Sequence, residues 1–149
     1  MTIEVRDPDF ERRVRDSFGR QQFMTLLGAS LTRVAAGEVE IDLPFSDQLT
    51  QQHGFVHAGA VTSVLDSACG YAASTLMDAD AAVLTVEFKV NLLEPAVGDR
   101  FVAHGRVVRA GRTVTVCRAE AVAQGGGREA LVAIMTATIM SVSGREISA

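Results

Sequence analysis

The chain has 149 residues, 48% of them hydrophobic and 21% charged, with a formal net charge of −4. One domain with a real core fits this length, and the composition leaves little room for long disorder. The acidic balance excludes a general nucleic-acid binder, which needs a basic face against phosphates. Two cysteines at no metal-like spacing, Cys69 and Cys117, point to free thiols and a reducing, cytoplasmic setting.

The N-terminal stretch MTIEVRDPDFERRVRD is charged and has no apolar core of a secretory signal. A helix is expected from Pro8 to Phe18, with Phe10, Val14 and Phe18 on one stripe and Gly19 at its end. A second short piece over Gln21 to Leu27 stops at Gly28. Together they form a helical segment at about 8–27.

Two strands follow, Ser30 to Ala35 and Glu38 to Phe45, joined around Gly37. In the second, Val39, Ile41 and Leu43 alternate with acidic residues, the pattern of a half-buried strand. Ser46 to Phe55 reads as a loop. From Ala58 to about Met77 small and apolar residues run on without proline. This segment predicts a helix apolar nearly all round, and so buried. Its Ser, Thr and Asp residues make it too polar to span a membrane.

The rest reads as strand. In AVLTVEFKVNLLEP the alternation places Leu84, Val86, Phe88, Val90 and Leu92 on one face. Phe101 to Arg109 and Thr113 to Ala123 form a hairpin, and Leu131 to Val142 is a final strand. The expectation is an α+β domain over residues 1–149, a curved, mostly antiparallel sheet wrapped around one long helix.

Asp66 is the anomaly of that helix. A carboxylate among apolar neighbours is costly unless paired, and no cation lies three or four residues away. Either serines, threonines or amides satisfy it, or it is a general base or nucleophile in a desolvated site. Its pKa is then expected above the free value. The start of the helix, His57-Ala58-Gly59, offers backbone N–H groups without intrahelical partners, suited to a developing oxyanion. Nine residues separate His57 from Asp66, about 13 Å of helix. The two ends cannot act on one atom within one chain, so the spacing suggests a twofold dimer with composite sites.

The segment QQHGFVHAGAVTSVLDSACGYA resembles the hotdog-fold acyl-CoA thioesterases, in the phenylacetate-pathway (PaaI-like) branch of the 4-hydroxybenzoyl-CoA thioesterase superfamily. LLGASLTRVAAGEVEIDLPF, LTVEFKVNLLEPAVGD and GRVVRAGRTV extend the likeness to most of the chain. The resemblance implies a hotdog fold, acyl-CoA hydrolysis to a free acid and CoA, and a homodimer or tetramer with interface sites. By that likeness Asp66 is the catalytic carboxylate, Ala58 the N–H donor to the thioester carbonyl, and His57 the residue orienting this loop. Gln51 stands where the family usually has asparagine, Ala58 where it has glycine. Thr85 falls where relatives carry a hydroxyl near the attacking water. Same-fold alternatives are a hydroxyacyl-thioester dehydratase and a non-catalytic acyl-CoA-binding protein.

No metal, nucleic acid or membrane partner is implied, and no cofactor beyond the coenzyme A of the substrate. His53 and His57 lack a third ligand, and His104 reads as structural or solvent-facing. Lys89 (the only lysine), Arg109 and Arg112 are candidates for the CoA phosphates. Tyr71 and the partner chain are expected to line an acyl pocket of apolar character.

Overall fold

The computed structural model describes residues 3–142. Two helices, α1 (Phe10–Arg20) and α2 (Gln22–Leu27), precede the strands β1 (Ser30–Ala35) and β2 (Glu38–Pro44). A single 3-10 turn at Asp47–Leu49 leads to the long helix α3 (Ala58–Ser74). Four strands follow: β3 (Ala82–Leu92), β4 (Arg100–Ala110), β5 (Val114–Gly125) and β6 (Arg128–Val142). They form one antiparallel six-stranded sheet in the order β1-β2-β4-β5-β6-β3. The sheet curves around α3, the hotdog arrangement.

The core lies between α3 and the concave face. Val61, Val64, Leu65 and Ala68 meet Val39, Ile41, Phe101, Ala119, Met135 and Ile139, all essentially without solvent contact. Small residues let the layers approach closely. A Cβ on Gly105 of β4 would lie 2.5 Å from the backbone carbonyl of Ala68, so only glycine permits this crossing.

Three expectations change. Helix α1 starts at Phe10 and runs through Gly19 to Arg20, because Gly19 is exposed with open space around it and nothing there forces a stop. Helix α3 ends at Ser74 rather than Met77. The Thr75 hydroxyl donates to the Ala72 carbonyl (2.7 Å) and accepts from the Gly37 N–H (2.7 Å), which turns the chain out of the helix. The third change is in β3. Its pairing with β6 slips between Thr85 and Glu87, a bulge that reverses the alternation. Thr85 therefore shares the concave face with Ile139, as Phe88 does with Ala137 beyond the bulge. Leu84 and Phe88 do not share a face.

Strand β3 crosses to the far edge of the sheet, where only β6 pairs with it. Leu84, Val86, Phe88, Leu92 and Leu93 at this edge are exposed. At the other end of the fold, Arg13 ties α1 to α3. It bonds Asp7 (Nε to Oδ2, 2.7 Å), the Ser74 hydroxyl (3.0 Å), the Ser74 carbonyl (3.1 Å) and the Met77 carbonyl (3.2 Å). The guanidinium thus caps carbonyls that the end of α3 leaves free.

Candidate active site

Asp66 lies half-buried on the face of α3 toward β3. Among the described residues its one hydrogen bond comes from the Thr85 hydroxyl, 2.8 Å to Oδ1. No cation lies within ion-pair distance among the described residues. Burial pushes its carboxyl above the ordinary value, and the Thr85 hydrogen bond only partly opposes this. The serine and amide partners that a structural role would supply are absent: Ser63 donates to the Gly59 carbonyl (2.7 Å) and Ser67 to Gln21 (3.4 Å). The bulge in β3 is what aims Thr85 inward at Asp66.

Helix α3 begins on a shaped loop. Gln51 N–H donates to the Phe55 carbonyl (2.8 Å) and His57 N–H to the Leu49 carbonyl (2.8 Å). His57 is the N-cap, and its Nδ1 accepts the Gly59 N–H at 2.8 Å. The neutral imidazole then carries its proton on Nε2. A Cβ on Gly59 would sit 3.0 Å from that Nδ1, so glycine gives the ring its seat. Here the structure corrects the sequence reading: the Gly59 N–H is occupied by the cap. Ala58 N–H has no partner among the described residues. Among the described residues none other than glycine has a positive φ, so Ala58 is unstrained. Gln51 turns its side-chain carbonyl back on the His53 N–H, which leaves its NH2 group as the free donor.

The two halves open on different cavities. Gln51, His57 and Ala58 line one of about 490 Å³ together with Val61, Leu92 and Pro95. Asp66 and Thr85 line another of about 580 Å³, shared with Ser17, Arg20, Gln21 and Tyr71. One chain does not bring the helix start and the carboxylate together.

The residues expected at the CoA phosphates lie elsewhere. Lys89 faces the convex side of β3, where its Nζ meets Asn91 (3.1 Å). Arg109 follows a second bulge, between Val107 and Arg109 of β4, opposite exposed Val116. Arg112 sits at the β4–β5 turn. Strands β5 and β6 separate β4 from β3, so Lys89 is not on the strand next to the arginines. None of the three lines either cavity.

The Asp66 cavity also departs from its expected apolar character. Tyr71 does line it, but with it stand hydroxyls, an amide and the guanidinium groups of Arg13 and Arg20, from α1 and the α1–α2 junction. Sequence reasoning missed Ser17, Arg20 and Gln21, since only long-range packing brings them to Asp66. Among the described residues no acidic, His or Cys cluster could hold a metal, and no helix is long and apolar enough to cross a membrane. Both cysteines are free and buried, and burial pushes both thiols up.

A carboxylate in a cleft and an unpaired N–H at a helix start are groups that hydrolysis of an activated acyl group can use. The thioesterase superfamily profile matches residues 53–130. A thioesterase family protein from Silicibacter pomeroyi is 55% identical, with 91% of this chain and 99% of that one covered at a TM-score of 0.89. A candidate esterase of Saccharolobus solfataricus is 33% identical over 99 residues, 66% of this chain and 70% of that protein. The Escherichia coli PaaI protein, from the phenylacetic acid degradation operon, shares the fold at 20% identity and a TM-score of 0.80, over 91% of this chain and 95% of that one. The chain belongs to the thioesterase superfamily, whose chemistry is thioester hydrolysis.

Proposed function

We propose that the protein hydrolyses an acyl-CoA thioester to a free carboxylic acid and CoA, as a homodimer with two composite sites. The observation that carries this reading is Asp66, a carboxylate held above its ordinary pKa with one hydroxyl partner and no cation. A desolvated carboxylate without a cation can take a proton from an attacking water.

In the proposed site Asp66 and Thr85 of one chain face Gln51, His57 and Ala58 of the other. Two features support pairing along β3: its free edge and the apolar residues exposed there. An antiparallel partner helix would bring the start of one α3 beside the middle of the other. Thr85 and Asp66 orient a water. Asp66 takes its proton as the oxygen attacks the thioester carbon. The C=O electron pair moves to oxygen, which the Ala58 N–H holds, with the Gln51 NH2 beside it. The tetrahedral species collapses, the C–S bond breaks, and the thiolate leaves and takes up a proton. Attack by Asp66 itself, through an acyl anhydride, uses the same groups. Single turnover in oxygen-18 water tests for the second route, since label enters Asp66 only when water opens the anhydride at the aspartyl carbonyl. Lys89, Arg109 and Arg112 enter this reading only as phosphate contacts across the assembled dimer. Alanine variants that leave the KM for CoA esters unchanged remove them from it.

The test is thiol release from a panel of aryl- and alkyl-CoA esters by wild type and Asp66→Asn. Release by wild type, lost in the variant while it still binds the esters, is the expected result. Binding without release by wild type would make this an acyl-CoA-binding protein. Equal release by both proteins would remove Asp66 from the mechanism.

A further inference from the structure

The Asp66 cavity has an uneven chemistry that hydrolysis alone does not require. One end holds Asp66 and Thr85. The other is built by α1 and by the residue joining it to α2: Ser17, Arg20 and Gln21, set against Tyr71 of α3. This wall is fixed. Val14 and Phe18 of α1 are buried in the core, Arg13 binds the end of α3, and the Phe18 and Tyr71 rings are in contact with centroids 5.6 Å apart.

The polar atoms on that wall are mostly donors with spare capacity. The Arg20 guanidinium makes no ion pair or hydrogen bond among the described residues, although every neighbouring arginine of α1 makes one. The Ser17 and Tyr71 hydroxyls share one long contact of 3.3 Å. Gln21 accepts from Ser67 on its carbonyl oxygen, which leaves its NH2 group unpaired. Burial raises the Tyr71 hydroxyl, and the Ser17 contact and the Arg20 charge oppose it, so Arg20 acts on this spot. The one further acid on these walls, Asp80, is exposed on the turn after α3 and does not pair with Arg20.

We propose that this wall recognises a carboxylate at the far end of the acyl group, with Arg20 as its specificity-determining residue, so that the preferred substrates are monothioesters of dicarboxylic acids. The inference rests on the proposed thioesterase reading, which puts the reacting carbonyl at Asp66. A guanidinium with its fork unpaired suits a carboxylate, which accepts two parallel hydrogen bonds. The Gln21 NH2 and the two hydroxyls supply further donors. From Asp66 to Tyr71 the helix rises about 7.5 Å, which sets the span between the two carbonyl carbons and favours a short dicarboxylate. A plain alkyl chain of that length would strip water from these donors and return nothing.

The experiment uses adipoyl- and hexanoyl-CoA analogues in which a methylene replaces the thioester sulfur, so binding is read without turnover. Their affinities are compared on wild type, Arg20→Gln and Arg20→Lys. Arg20 is exposed at the last turn of α1, so all three proteins fold. Wild type is expected to bind the adipoyl analogue about tenfold tighter, the span of one charge-assisted hydrogen bond. Arg20→Gln should bring the ratio near one, and Arg20→Lys should keep part of it. Equal binding of the two analogues by wild type overturns the proposal, as does a ratio that survives Arg20→Gln or the absence of binding by either. Equal weakening of both analogues in Arg20→Gln makes Arg20 a contact to coenzyme A and overturns it too. Thiol release from the ordinary esters reports separately on the thioesterase reading.

Discussion

Asp7 and Asp66 both serve helix α3, and the fold treats them in opposite ways. Asp7 receives the Arg13 guanidinium at 2.7 Å, and that hydrogen bond holds its carboxyl below the ordinary value. Asp66 receives one hydroxyl, and burial holds it above. The Asp7 pair anchors α1 and supports the fold while ionised. Asp66 is less comfortable ionised than it would be in the unfolded chain. A structural carboxylate is given a cation; a working one is left short of partners so that it can bind a proton or an electrophile.

Exchanging each acid for its amide breaks this comparison most directly. Asp66→Asn should reduce kcat for thioester hydrolysis on the order of a thousandfold or more, the loss of a general base or nucleophile. Asp7→Asn should leave kcat per folded molecule within about twofold, because Asp7 touches neither cavity. Steady-state thiol release, normalised to folded protein, reads both. Stability should rank them the other way. Asp7→Asn and Arg13→Ala should each lower the melting temperature at pH 7, on the order of 5 °C, by freeing α1 from the end of α3. A lowered folded pKa gives stability that is present above the unfolded value near 3.8 and is lost as pH falls through the folded one. The gap between wild type and Asp7→Asn should therefore close in acid. A gap that stays constant down to pH 2 would deny the ion pair this role.

Local pattern made much of this legible. The bounds of β1 were readable to the residue, β2 to within one, and α3 to its first residue, because period and turn chemistry are written in neighbouring residues. Asp66 stood out as a charge without a cation at helical spacing. The misses share one cause, long-range pairing. Alternation in β3 does not say that the strand crosses to the far edge, nor that it bulges at Val86 to aim Thr85 at Asp66. The Gly59 N–H looked as free as that of Ala58, since only the rotamer of His57 decides which is taken. Nothing near Arg20 in sequence places it on one cavity with Tyr71, which stands on another helix.

Thr85→Val sharpens the comparison from the Asp66 side. It deletes the one hydrogen bond that favours the ionised form and keeps the side-chain shape. The Asp66 pKa should move further up, so activity is lost at higher pH on the acid side of the kcat/KM profile. At neutral pH kcat should fall about tenfold, the scale of one charge-assisted hydrogen bond. An unmoved acid limb would mean that the titrating group in that limb is not Asp66.

The smallest effect concerns the same aspartate as a part of the fold. Its folded pKa is raised, so relative to a neutral residue its contribution is complete below the unfolded value near 3.8 and declines as pH rises through the folded one. At pH 7 the wild type therefore carries a penalty for ionising Asp66 that Asp66→Asn does not. The amide can still accept from the Thr85 hydroxyl through its own oxygen. The variant should melt about 1–2 °C higher at pH 7, with the difference shrinking as pH falls toward 4 and below. The two effects develop on opposite sides of the unfolded value: as pH rises, the Asp7→Asn deficit opens below about 3.8 and the Asp66→Asn gain above it. Melting curves of both variants across pH 2 to 8 test the pair together. A destabilised Asp66→Asn at pH 7 would mean that the ionised carboxylate has partners in the assembled protein that one chain does not supply, and those would be sought first in the facing helix start.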